Sequence, residues 1–296
     1  MSSDPQAELR NMQPKHKYLI AIDSDGCAFD TMEIKHKECF IPNIIKYWKL
    51  QPVSKYARAA AEFVNLYSKW RGINRFPALI MVFDLLKDWP EVSRRAVHIP
   101  DSLALRNWIE TETKLGNPAL KAKVEATGNG VLRNALEWSV AVNNSIEEIV
   151  HGVPPFPFVR DSLVKISDWA DIIVCSATPI DALKREWEEH DIAKYVRVIA
   201  GQENGSKAEH IKLASEGKYD KDKILMMGDA PGHRRAAQAN EARFYPVNPG
   251  EEEKSWEVFL NEAAEHFRNG QYSDEYAGAL NEEFEKHLPD TPPWKK

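Results

Sequence analysis

The stretch Tyr18-Leu19-Ile20-Ala21-Ile22-Asp23-Ser24-Asp25-Gly26 decides how the rest of the chain is read. Its first five residues carry no charge and do not alternate, the pattern of a strand buried on both faces, as in a parallel sheet covered by helices. It stops at turn formers that include two acids. Four later segments read the same way: Asp171-Ile172-Ile173-Val174-Cys175-Ser176, Val196 to Ala200, Ile224-Leu225-Met226-Met227 running into Gly228-Asp229, and Arg243 to Val247. Helical segments lie between them. One spans about 160–169. Another opens at Thr178-Pro179-Ile180-Asp181, with Thr178 in the cap position, Pro179 at the first helical position and Asp181 at the capping-box place. Ser206 and Glu209 form a second capping box, which puts Lys207 at the very start of its helix. The alternation predicts an α/β fold with a doubly wound, Rossmann-like parallel sheet.

Between the first and second strands the period changes. Ile41, Ile44, Ile45 and Trp48 follow helical spacing, as do Ala57, Ala60, Ala61 and Val64, and then Leu79, Val82, Phe83 and Leu86. The expected plan is a tail over 1–16, a core over 17–30 and 158–248, an all-helical insertion over 31–157 and an acidic helical extension over 249–296. Trp256, Phe259 and Leu260 suggest that the extension docks on the core. The aromatic residues of the insertion (Trp48, Phe63, Tyr67, Phe83, Trp89 and Trp138) read as its interior.

The 296 residues fit about two domains, and 43% hydrophobic with 28% charged residues is a core-forming composition. The longest useful apolar run, Ala78 to Phe83, falls far short of the ~20 residues a bilayer requires, so no membrane partner is expected. Cys27, Cys39 and Cys175 form no CxxC pair, and the reducing cytoplasm is the expected compartment. A net charge of −6 argues against nucleic acid as a partner. Residues 31–75 nevertheless hold nine Lys or Arg against three Glu, a stretch that could attract an anionic small molecule.

In open α/β sheets, sites form outside the carboxyl ends of the strands. Asp23, Asp25, Ser176, Lys207 and Asp229 all fall at such places. Each alone is an ordinary turn or cap residue; their convergence on one edge is what points to chemistry. The D-x-D-G start does not continue as a calcium loop, because Cys27 and Ala28 stand at the fifth and sixth positions.

These motifs resemble the haloacid dehalogenase superfamily of phosphotransferases: IAIDSDG, IIVCSAT, the Lys207 of GSKAEHIKLA, and LMMGDAPG match its four signatures in order. The helical insertion is similar in position to the family's C1 cap. The resemblance implies that Asp23 attacks phosphorus and forms an aspartyl-phosphate, while Asp25 exchanges protons with the leaving alcohol and the attacking water. It implies Mg²⁺ held by the carboxylates of Asp23 and Asp229 and the backbone carbonyl of Asp25, with Ser176 and Lys207 on the phosphate oxygens. The presence of Asp25 favours a phosphatase or phosphomutase. A Mg²⁺-dependent phosphomonoesterase of a small phosphorylated metabolite is the leading expectation. A sugar-phosphate mutase uses the same residues, and a binding protein without turnover is the third possibility, opposed by the intact set of reacting groups. Two positions depart from the family: Cys27, where Thr or Val is usual, and His233, where a second acid usually helps hold the metal's water shell. For substrate contacts the candidates are Arg71, Asn74 and Arg75, in a short loop broken by Gly72, together with Ala177 beside Ser176.

Overall fold

The computed structural model of the chain describes residues 4–295. The chain divides into two compact units, Met1–Thr31 with Gly152–Leu288, and Met32–His151 with Pro289–Lys296.

The first unit is built on five parallel strands: β1 (Tyr18–Ile22), β2 (Ala170–Cys175), β3 (Val198–Ala200), β4 (Ile224–Gly228) and β5 (Arg243–Pro246). Their order is β3-β2-β1-β4-β5. Ile22 pairs with Val174 on one side and Met227 on the other, so three strands end level with one another. β3 starts two residues later than the sequence suggests, because Ala193–Tyr195 wind into a short 3-10 turn ahead of it. From β1 the chain goes on to β2 on one side, while β4 lies on its other side; a crevice opens at such a reversal, outside the carboxyl ends.

β2 and β4 are buried along their whole length, as their uninterrupted apolar runs require. Successive side chains alternate between two separate interiors. Ile20, Ile22, Ile172, Val174, Leu225 and Met227 share one with Leu163, Trp187, Trp256 and Phe259. Leu19, Ala21, Ile173, Cys175, Ile224 and Met226 share the other with Ile211, Ala237 and Phe284. The helices Ile180–Glu189 and Glu252–Val258 therefore cover one face and Lys207–Ser215 and Pro231–Ala239 the other, while Asp274–His287 meets both, through Tyr276, Ala277 and Leu280 on the first and Phe284 on the second. Burying each such large apolar side chain contributes about 1.5–3 kcal/mol.

The second unit has no strand among its described residues. Its principal helices are Ile41–Tyr47, Ser54–Asn65, Arg75–Lys87, Leu103–Thr111, Asn117–Thr127 and Gly130–Ile149. Trp48, Phe63, Phe83, Trp89 and Trp138 are all in its interior; Tyr67 is half-buried, with its hydroxyl on Glu33. The last residues of the chain close this interior: Trp294 stacks on Trp89 at 4.2 Å, and Lys69 pairs with Asp290 at 2.7 Å. No helix among the described residues is long and apolar enough to cross a membrane.

Candidate active site

The residues that follow β1 turn back at once. The Ser24 carbonyl accepts from the N–H groups of Cys27, Ala28 and Phe29, and Gly26 supplies the positive φ of 72° that this reversal requires. Three side chains lock the turn from outside. The Trp187 indole N–H donates to Ser24 Oγ at 3.0 Å, and that hydroxyl donates to Glu186 at 3.0 Å. The Trp256 indole N–H reaches the Cys27 carbonyl at 2.7 Å. The helix Glu252–Val258, expected to dock on the core, thus also fixes the loop that carries the two leading acids.

Asp23 is 3% exposed and Asp229 1% exposed. Lys207, 184 positions from Asp23 in sequence, donates from its ammonium to Asp23 Oδ1. The Ser206–Glu209 capping box sets it there: Glu209 accepts from the Ser206 N–H at 2.7 Å, and Ser206 Oγ accepts from the Glu209 N–H at 3.3 Å. Burial pushes the Asp23 carboxyl above its ordinary range and the Asp229 charge adds to this, while Lys207 and His233 pull it back down. Burial likewise holds the Cys27 and Cys175 thiols protonated, so neither competes as a nucleophile.

His233 lies between the carboxylates. Its Nε2 is 2.7 Å from Lys207 Nζ and 3.4 Å from Asp23 Oδ2, and its Nδ1 is 3.3 Å from Asp229 Oδ1. The Ala230 N–H donates to Nδ1 at 3.3 Å, a capping contact that seats the ring at the start of the helix Pro231–Ala239. The ring is seated on Gly228, where an added Cβ would come within 2.4 Å of Nδ1. Asp23, Asp229 and His233 offer three ligand atoms, all within 4.8 Å of one another. Two carboxylates and an imidazole fit a divalent cation.

Asp25 is held at both oxygens. Thr31 donates to Oδ1, and Thr178 donates to Oδ2 at 2.6 Å. This corrects the reading of Thr178 as a helix cap. The helix begins at Ile180 after Pro179, and Glu203 takes the Ile180 N–H at 3.0 Å. Ser176 is 2% exposed; its Oγ accepts from the Thr178 N–H at 3.1 Å and can still donate its own proton. Ala177 beside it is exposed.

Arg71, Asn74 and Arg75 serve the helical unit itself. Arg71 is 3% exposed and donates to the Leu66 carbonyl. Asn74 caps the helix Arg75–Lys87 by accepting from the Phe76 N–H, and donates to Leu115. Arg75 binds the Ser139 carbonyl and hydroxyl and Asn143, with its guanidinium 4.9 Å over the Phe40 ring. These contacts hold the loop 70–76 against the helices of its own unit. Sequence reasoning missed Thr31, Thr178, Trp187 and Trp256. For Thr178 the available signal was its place two residues past Ser176, on the same strand end.

No protein-family model matches the chain, and no curated protein sequence matches it. Solved structures that align with it include a haloacid dehalogenase-like family hydrolase from Streptococcus pneumoniae, at 12% identity over 81% of this chain and 90% of that one, with a TM-score of 0.45. A provisionally named HAD-hydrolase from Bacillus subtilis, bound to magnesium, aligns at 11% identity over 83% and 100%, with a TM-score of 0.47. A provisionally named beta-phosphoglucomutase from Thermotoga maritima aligns at 16% over 84% and 99%, with a TM-score of 0.42. Likenesses this distant carry no activity with them, and the doubly wound fold rests on the strand order and register themselves.

Proposed function

We propose that the protein is a phosphomonoesterase of the haloacid dehalogenase type, acting on a small phosphorylated metabolite through a phosphoryl group carried on Asp23. The observation that carries this reading is the Asp23–Lys207 contact at the carboxyl edge of the sheet, with Ser176, Asp25 and Asp229 at the ends of the same strands. Phosphoryl transfer demands positioning and charge neutralisation more than any other aid.

An Asp23 oxygen attacks phosphorus and the bond to the ester oxygen breaks. The leaving oxygen takes its proton from Asp25. Water then attacks the phosphorus of the aspartyl-phosphate and gives a proton to Asp25, and the bond to Asp23 breaks, releasing phosphate. Thr31 and Thr178 support Asp25 through both steps, because a hydroxyl can donate to the ionised carboxylate and accept from the protonated one. Lys207 and Ser176 hold the non-bridging oxygens in this reading. A divalent cation on Asp23, Asp229, His233 and the Asp25 carbonyl would neutralise charge on the transferring group; the family resemblance implies Mg²⁺.

A sugar-phosphate mutase would use the same first step. A turnover screen over phosphorylated metabolites, with and without added divalent ions, tests the proposal: phosphate release supports it, and isomer interconversion without phosphate release replaces it by the mutase. Inactivity of the metal-supplemented protein over the whole panel would count against both.

A further inference from the structure

We infer that Asn204 is a positioning residue for the reaction: by closing the turn 201–205 on itself, it holds Thr178 against Asp25 and delivers Lys207 to Asp23. The inference deepens the proposed function and rests on its roles for Asp23, Asp25 and Lys207, while the placement of Lys207 can be measured without turnover.

The turn follows β3 and runs beside the segment that carries Ser176 and Thr178. Three bonds join the two: the Ser176 N–H donates to the Ala200 carbonyl at 3.0 Å, the Gln202 N–H to the Thr178 carbonyl at 3.1 Å, and the Ile180 N–H to the Glu203 carboxylate at 3.0 Å. No side chain fits between them, since a Cβ added at Gly201 would come within 2.6 Å of the Thr178 carbonyl and 2.8 Å of the Ile180 nitrogen. At the other end Gly205, at φ 113°, sends the chain into Ser206, whose capping box starts the helix with Lys207. Thr178 on Asp25 and Lys207 on Asp23 are thus set from opposite ends of one short turn. The 3-10 segment Gln202–Asn204 is a single turn with poor internal bonding, so its shape depends on what closes it. Asn204 does this. It is 4% exposed; its Oδ1 accepts from the Gly201 N–H at 2.8 Å, and its own N–H donates to the Gly201 carbonyl at 3.0 Å. Its Nδ2 donates to the Pro5 carbonyl, and its carbonyl accepts from Gln6 Nε2 at 2.9 Å, so the segment before the first helix clasps the turn from outside. Any other setting of the amide leaves the buried Gly201 N–H unpaired. A displacement of about 1 Å at the reacting groups can cost on the order of 10²-fold in rate, which gives the closure its weight.

The test compares the wild-type full chain with Asn204→Ala, Asn204→Asp and Gln6→Ala. Lysines are labelled with acetic anhydride and the rate at each is read by mass spectrometry, with Lys165, bound to the Leu260 carbonyl at 2.8 Å, as the control. In Asn204→Ala the Lys207 rate should rise about tenfold while Lys165 keeps its own, and kcat for phosphate release should fall about 10–100-fold, more than KM changes. Asn204→Asp keeps an acceptor for the Gly201 N–H and loses only the donor to Pro5; it should bring kcat back to within about fivefold of wild type. Gln6→Ala loses only the bond to the Asn204 carbonyl and should raise the Lys207 rate about threefold, which keeps the inference testable if Asn204→Ala does not fold. An unchanged Lys207 rate or an unchanged kcat in Asn204→Ala overturns it. So does equal acceleration at Lys165, since Asn204 would then act on overall stability alone. Faster labelling of Lys207 in a protein with no phosphatase turnover would leave its placement by Asn204 standing and defeat the proposed reaction; wild-type turnover that Asn204→Ala leaves unmoved, with Lys207 still protected, would do the reverse.

Discussion

Replacing Lys207 by Met keeps an unbranched stem and removes the ammonium that donates to Asp23 and lies 2.7 Å from His233. The Asp23 side chain is 4% exposed and that of Asp229 2%, so two carboxylates would remain in a nearly dry site with one imidazole. Removing one partner of a buried pair costs about 3–5 kcal/mol. Spread over a chain of this size, that lowers the melting temperature by on the order of 10 °C. The loss has a pH dependence of known sign. Burial and Asp229 already push the Asp23 carboxyl upward, and without Lys207 it rises further. A carboxyl whose folded pKa exceeds its unfolded value favours the folded state as pH falls, so the variant should be closest to wild type at pH 5 and furthest below it at pH 8. Denaturant unfolding followed by tryptophan fluorescence at the two pH values measures this. Phosphate release should fall by about 10²–10³ at saturating substrate, the usual cost of losing one charge-stabilising donor. An unchanged midpoint at pH 8 would refute the buried pair, and unchanged release would refute the role of Lys207 at the transition state.

Three further outcomes are expected. Thr178→Val deletes the 2.6 Å hydroxyl contact to Asp25, and kcat should drop about 10–100-fold with KM little changed; a change confined to KM in steady-state kinetics would contradict the placement of Thr178. Trp256→Phe leaves the buried Cys27 carbonyl without its indole donor, which should destabilise by about 1–3 kcal/mol in urea titrations and slow turnover through the Asp23 loop; wild-type values of both would show that the loop stands without it. His210 is fully buried, and burial with the Lys207 charge lowers its pKa from 6.5 to about 4. The unfolded chain therefore binds a proton that the folded one refuses, and stability should fall as pH drops through 6.5, by up to about 3 kcal/mol near pH 4. His210→Gln should flatten the denaturation midpoint between pH 4.5 and 7; an undiminished slope in that variant would assign the acid sensitivity elsewhere.

What was legible in the sequence is what short-range pattern dictates. The five strands show because a fully covered parallel sheet needs unbroken apolar runs, and Lys207 could be placed because the Ser206–Glu209 box is local. Thr178 was misread because Thr-Pro-x-Asp fits a helix start equally well; its partner Asp25 lies 153 positions away and leaves no local trace. Gly72 correctly announced a bend, with φ 79°, but the partners of Arg71 and Arg75, at Leu66, Ser139 and Asn143, come from the packing of the helices. His233 stood out in the sequence as a departure. That it touches Asp23, Asp229 and Lys207 together is a consequence of β1 and β4 being neighbours in the sheet, with the Lys207 helix on one of its faces.

The central claim is that Asp23 carries the phosphoryl group, and the most direct measurement is to catch it there. Protein mixed with a phosphoryl donor such as acetyl phosphate and a divalent ion is quenched in acid within milliseconds, digested, and read by mass spectrometry. The peptide that contains Asp23 should carry one added phosphoryl group, assigned to Asp23 by fragmentation, absent in Asp23→Asn and longer-lived in Asp25→Asn. Wild-type protein that turns substrate over with no phosphoryl group on this peptide at any quench time, or Asp23→Asn that turns over normally, would contradict the account.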